Sequence, residues 1–186
     1  MTEEILKKPE QTLSSVIGYS AILMADYLIS KGQGLLTPLQ IIKLIYISHG
    51  YTLAIHNRPL THDRIEAWKY GPVLPVLYHA LKIHASKPIP NLYYCGTNTL
   101  VSVDKREKFF NDVIEKPIKD ILDRVLEAYG DMTGNELSAI THEKGTPWHI
   151  CYRKNEFSIE IPDDIIKNHY TELKLRNERQ SKQTGS

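Results

Sequence analysis

Cysteine is scarce in this chain of 186 residues, which has two, Cys95 and Cys151, far apart in sequence. Neither belongs to a Cys-x-x-Cys pair, so the sequence contains neither a zinc knuckle nor a disulfide framework. Histidine is more frequent, but none of the eight lies four residues from another, as metal ligands on one helix face do. The sequence therefore predicts no metal site and no cofactor.

An excess of charge of one sign is also lacking, because 23 Lys and Arg oppose 22 Asp and Glu. Proteins that track phosphates usually carry a basic excess on one face, so nucleic acid is not favoured as a partner. The nearest candidate for a basic recognition helix, residues 105–119, lies within the charged stretch 104–127, where six basic residues oppose seven acidic ones. No run approaches the roughly 18 apolar residues of a membrane span, and the acidic N-terminus does not resemble a signal peptide. We therefore expect a cytoplasmic protein.

Motifs of common catalytic sites are missing as well. Walker loops, Gly-x-Gly-x-x-Gly and serine elbows do not occur, and most glycines stand where helices are expected to end. Cys151 follows Trp148 in an apolar context, which favours ordinary burial over a reactive thiolate. The sequence predicts no catalytic residue.

The apolar residues, 41% of the chain, predict a single compact, mainly α-helical domain. Its centre is a helix over about residues 37–56, with Thr37 as N-cap, Pro38 at the first position and Gln40 completing a capping box. Apolar residues face nearly every side of this helix, so we expect it to be buried.

Other helices are predicted around this centre. One stripe from Leu13 to Leu28 ends near Gly32, the clearest amphipathic helix runs from Ile114 to Tyr129, and a last helix opens at Asp163. At most a small β element is expected near residues 60–70 and 90–103. We expect an N-terminal segment over residues 1–12, a helical domain over 13–175 and a disordered tail over 176–186.

Two tryptophans stand in clusters of rigid and aromatic residues. Trp68 lies in EAWKYGPVLP and Trp148 in THEKGTPW. We expect both to pack structurally, so that Trp68→Ala destabilises by roughly 3–5 kcal/mol. Lys43 lies in the apolar central helix and needs a partner or a route to solvent, and Glu66 is one candidate.

Three separated motifs carry a family resemblance: LTPLQIIKLIYISHGYTLAIHNRPL, IEAWKYGPVLPVLYHALK and NELSAITHEKGTPW. In this order, from about Ser20 to Trp148, they resemble the Panacea domain of phage-associated and SocA-type proteins. The family signature, which we expect to be structural, comprises Lys43, Tyr46, Gly50, Glu66, Trp68, Tyr70, Gly71, Pro72, Thr141, His142, Pro147 and Trp148.

The resemblance implies a prophage-associated antitoxin that neutralises a cognate toxin, encoded by an adjacent gene, through direct protein-protein contact. It also implies that such a protein can act as an adaptor that delivers the toxin to an ATP-dependent protease. We expect partner contacts outside the shared motifs, because loops and appended helices can change without disturbing the core. The candidates are Tyr93, Tyr94, His169, Tyr170 and Arg176.

Two alternatives remain open at this stage. A metal- or cysteine-dependent enzyme would need a pocket that joins His142, Glu66 or Cys151. An autoregulator that binds DNA would need a recognition helix, for which residues 105–119 are the nearest candidate.

Overall fold

A computed structural model describes residues 18–90 and 103–184 of the chain. Over these residues the predicted mainly α-helical architecture is confirmed, with one two-stranded sheet. In chain order the helices are α1 Ala21–Lys31, α2 Pro38–His56, α3 Pro75–Leu81, α4 Val103–Val113, α5 Lys116–Tyr129, α6 Gly134–His142, α7 Pro147–Cys151 and α8 Asp163–Thr184. None of them is long and apolar enough to cross a membrane.

Helix α2 forms the centre of the fold, as its sequence predicts. The capping box is present: Thr37 Oγ1 accepts from the Gln40 amide at 3.5 Å, and Gln40 Oε1 accepts from the Thr37 amide at 3.0 Å. Every residue from 41 to 50 is buried. Helices α1, α5, α6 and α8 pack around it. Because these helices pack around α2, apolar residues are buried on nearly every side of it.

A short antiparallel hairpin follows α2. Strand β1, Glu66–Trp68, pairs with β2, Gly71–Val73, so that Trp68 lies opposite Gly71. The stretch before α8 extends this sheet: the Ala67 amide donates to Ile159 O, and the Ile161 amide donates to Ile65 O, both at 2.8 Å. The small β element expected near residues 60–70 is thus present, whereas the one near 90–103 falls mostly outside the described residues.

The N-terminal helix begins later than its apolar stripe predicts. Leu13 and Ile17 lie outside the described residues, but Gly18 to Ser20 are not helical. Gly18 has a φ of +86°, and Tyr19 exchanges backbone hydrogen bonds with Leu60 and His62. Because that backbone pairs with a distant segment, it cannot continue a helix into α1.

The charged stretch over residues 103–129 contains more helix than expected. Residues 103–113 form α4, where apolar periodicity predicted no helix and only the DNA-binding alternative named a candidate helix, over residues 105–119. The predicted helix that ends at Tyr129 is confirmed as α5, with Pro117 in its first turn and Gly130 at its C-cap.

The predicted disordered tail over 176–186 is wrong for residues 176–184, which continue α8. Ion pairs one turn apart, Lys174 with Glu178 at 3.8 Å and Glu172 with Arg176 at 3.4 Å, link successive turns. Pairs at this spacing and strong helix formers stabilise an exposed helix that has little apolar surface.

Candidate functional site

The three sequence motifs meet at a completely buried lysine. Lys43, on α2, has no exposed surface, and its Nζ donates to Tyr70 O at 2.8 Å and to Pro72 O at 3.1 Å. The anticipated pairing with Glu66 is therefore wrong, because backbone carbonyls satisfy the ammonium instead. Burial lowers the pKa of Lys43 from its ordinary 10.5 to about 7.

Gly71 separates the two carbonyls that Lys43 binds. Its φ of +106° lies in a region that residues other than glycine rarely adopt. A Cβ at this position would overlap Lys43 Nζ and come within 3.1 Å of His142 Nε2. Glycine is therefore required here by backbone conformation and by the close approach of Lys43.

Both tryptophans pack structurally and remain half-buried. The Trp68 indole donates from Nε1 to Glu66 Oε2 at 2.8 Å, and Trp148 Nε1 donates to the Trp68 carbonyl at 2.7 Å. Arg64 Nη2 lies 3.8 Å from Glu66 Oε1, so this carboxylate is paired with Arg64 and Trp68 rather than with Lys43. These bonds tie the end of β1 to the third motif.

His142 completes the junction. Its ring lies against Trp148, with ring centroids 4.0 Å apart, and its buried Nε2 has no hydrogen-bond partner among the described residues. Burial, together with the charge of Lys43, lowers the pKa of His142 below its ordinary 6.5. We infer that this imidazole is neutral at physiological pH.

The remaining signature residues shape the core around this junction. Thr141 Oγ1 donates to Leu137 O at 2.9 Å, and buried Pro147 begins α7. Gly50 faces Tyr170 so closely that a Cβ would overlap the ring. A cavity of about 260 Å³ lies where Tyr46, Thr141 and Pro147 meet α8.

The predicted partner-binding residues have different environments. Tyr93 and Tyr94 lie outside the described residues. Arg176 is exposed and His169 is half-buried. Tyr170 is 4% exposed and packs edge-on against Tyr51, with centroids 5.1 Å apart, so its assignment as an exposed contact residue is wrong. Its aromatic ring fills the space that Gly50 leaves, which a single sequence could not indicate.

Within residues 18–90 and 103–184, no metal-binding cluster or activated cysteine supports the enzyme alternative. No cluster of three His, Cys, Asp or Glu residues suited to a metal occurs within them. Burial raises the pKa of the half-buried Cys151 thiol, which disfavours a thiolate. Hydrogen bonds do not join Glu66, His142 and Cys151 in this part of the molecule.

The DNA-binding alternative rested on residues 105–119, which form no continuous helix. They are divided between α4 and α5. Arg106 pairs with the buried Asp26, Lys116 pairs with Asp120 at 2.9 Å, and Lys119 donates to Asn111 at 2.6 Å. Because Arg106 and Lys116 are paired with carboxylates and three acidic residues lie among the five basic ones, this surface is not a free basic stripe.

A groove lies between α2, α5 and α8, and the first sequence motif contributes part of its α2 wall. Its volume is about 440 Å³, and its walls include Tyr51, Ile55, Ile121 and Tyr129. None of the signature residues lines it. The amphipathic pattern of α5 predicted an apolar face but not that part of this face would stay uncovered.

The fold and the junction of its motifs define the class of this protein: a helical domain in which a buried lysine fixes a hairpin. The family model of the antitoxin SocA-like, Panacea domain matches residues 41–149. Antitoxin SocA from Caulobacter vibrioides (strain NA1000 / CB15N) is 30% identical over 159 residues, which cover 79% of this chain and 80% of that protein. No solved structure matches the chain. The chain belongs to the antitoxin SocA-like family, as its motifs predicted.

Proposed function

We propose that this protein is an antitoxin that neutralises a cognate toxin by direct protein-protein binding in the cytoplasm. Membership of the antitoxin SocA-like family carries the proposal. The arrangement of the signature residues supports it. Lys43 donates to the Tyr70 carbonyl and Trp148 donates to the Trp68 carbonyl, so that both side chains fix the backbone of the hairpin. A surface that is already ordered favours tight binding, because less conformational entropy is lost when the complex forms.

Co-expression with the adjacent gene tests this proposal. The neighbouring product alone should arrest growth, and this protein should relieve the arrest and co-purify with it in a fixed ratio. Relief without a complex at micromolar concentrations would contradict neutralisation by binding.

Two substitutions separate binding from catalysis. We expect His142→Gln and Cys151→Ala, if folded, to retain the complex and the relief in proportion to each other. Loss of relief by either variant while the complex persists would favour the enzyme alternative. A complex of this protein with its own promoter DNA would favour autoregulation as an additional role.

The adaptor role is a separate part of the proposal. The bound toxin should then be degraded faster when an ATP-dependent protease of the host is active. The half-life of the toxin, measured with and without this protein and with the protease gene deleted, checks this part. An unchanged half-life with full relief would leave sequestration as the mechanism of neutralisation.

A further inference from the structure

Two aromatic rings are exposed close to the hairpin, that of Tyr70 in its turn and that of Tyr78 on the following helix, α3. Tyr70 is 68% exposed and Tyr78 is 40% exposed. Beneath them, Trp68 packs edge-on against Tyr78, with ring centroids 4.9 Å apart. We call Lys69, Tyr70 and Tyr78 the aromatic tip. Tyrosines that are exposed on a rigid element are typical of residues that concentrate binding energy at protein interfaces.

The core fixes the backbone of this tip at several points. Lys43 Nζ binds the carbonyls of Tyr70 and Pro72, and Trp148 binds that of Trp68. Burying a lysine without a carboxylate is costly, and both hydrogen bonds from Lys43 go to the backbone of the hairpin. The gain from Lys43 is therefore the fixed position of the tip, which reduces the entropy lost on binding.

The sequence segment that contains the tip carries charge of one sign, and the acid just before it, Glu66, is 7% exposed and accepts the Trp68 indole hydrogen bond. Residues 67–90 contain Lys69, Lys82 and Lys87, all exposed, and neither Asp nor Glu. Lys69 Nζ lies 5.2 Å from the centre of the Tyr70 ring. Since the whole chain has a net charge of only +1, this sequence segment is more basic than the chain as a whole, and Lys69 places an exposed positive charge beside Tyr70. A partner that covers it should present carboxylates, because complementary charge promotes association and excludes wrong partners.

We propose that the aromatic tip docks on an acidic, partly apolar face of the cognate toxin. This inference rests on the proposed function and names the surface that performs it. A protein is favoured over nucleic acid because three lysines spread over residues 67–90 do not form the continuous stripe that tracks phosphates. Tyr70, which the sequence placed among structural signature residues, thereby acquires a binding role.

The test compares Tyr70→Ala and Lys69→Glu with Leu35→Ala, each in the full-length protein. Leu35 is a matched control because it is 70% exposed and lies outside the tip. Affinity for the purified product of the adjacent gene is measured at low and high salt. We expect Tyr70→Ala to weaken binding on the order of tenfold or more, as truncation of an interface hot spot does. Lys69→Glu should slow association and flatten its salt dependence.

Each outcome decides the inference. Wild-type affinity in both tip variants would overturn it and leave the proposed function standing. Equal losses in Leu35→Ala and Tyr70→Ala would also overturn it, because the loss would not be specific to the tip. Salt-dependent binding of a DNA duplex that Tyr70→Ala abolishes would assign the tip to nucleic acid instead. Absence of any complex with the wild-type protein would contradict both the inference and the proposed function.

Discussion

The indole Nε1 of Trp148 donates a 2.7 Å hydrogen bond to the backbone carbonyl of Trp68, 80 positions earlier in the chain. This bond joins the third sequence motif to the second. Lys43 joins the first motif to the same hairpin through two further carbonyls. The three motifs therefore form one structural unit, although they are separated in sequence.

Trp68→Ala should destabilise the protein by about 3 kcal/mol, near the lower end of the range for aromatic truncation because its ring is half-buried. Trp68→Phe keeps an aromatic ring against Tyr78 but loses the bond to Glu66, and should cost only about 1 kcal/mol. Urea denaturation followed by circular dichroism measures both. A Trp68→Ala variant of wild-type stability that no longer binds the toxin would instead place Trp68 in the interface.

Gly50→Ala should destabilise the protein because the added Cβ would overlap the buried Tyr170 ring. We expect a loss of about 1–3 kcal/mol, as is usual when a packed core must accept an extra group. Thermal unfolding gives the single-variant effect.

A double-variant cycle with Tyr170→Leu tests the cause of that loss. Leucine occupies less space beside residue 50, so the combined variant should lose less stability than the sum of the two single losses. Additive losses would show that Tyr170 does not cause the effect of Gly50→Ala.

Capping signals and apolar periodicity were sufficient to predict α2, α5 and the start of α8, because these features are local. They could not predict that Lys43 binds the Tyr70 and Pro72 carbonyls or that the Tyr170 ring packs against Gly50. Both depend on contacts between segments distant in sequence. The tail was mispredicted for a different reason. It lacks apolar residues, which indicated disorder, but ion pairs between residues four apart link successive turns of its helix.

Arg106→Ala should destabilise the protein by about 3 kcal/mol, because it removes the cation that faces the 2% exposed Asp26. A matched control is Lys116→Ala, which breaks the 2.9 Å ion pair with Asp120 on the surface. That variant should lose at most about 1 kcal/mol. Chemical denaturation of both distinguishes a buried from an exposed pair, and equal losses would contradict this interpretation of Arg106.

Lys43 should make stability depend on pH above neutrality. Its pKa is about 7 in the folded protein and near 10.5 in the unfolded chain, because burial disfavours the ammonium. Between these values the unfolded chain binds more protons than the folded one, so the free energy of unfolding rises with pH. The contribution of Lys43 should increase by about 2 kcal/mol from pH 7 to pH 9 and change little below pH 6.

Lys43→Met isolates this contribution, since it removes the titrating group from the same buried position. The pH profile of the variant should be flatter than that of the wild type between pH 7 and pH 9, even though the variant loses the two bonds to the hairpin carbonyls. Neighbouring His142 does not obscure the comparison, because its pKa lies below 6.5 and its ring is neutral in this range. Urea denaturation at several pH values measures both profiles. Parallel profiles would mean that Lys43 remains protonated in the folded protein and that its two carbonyl bonds offset the cost of burying its charge.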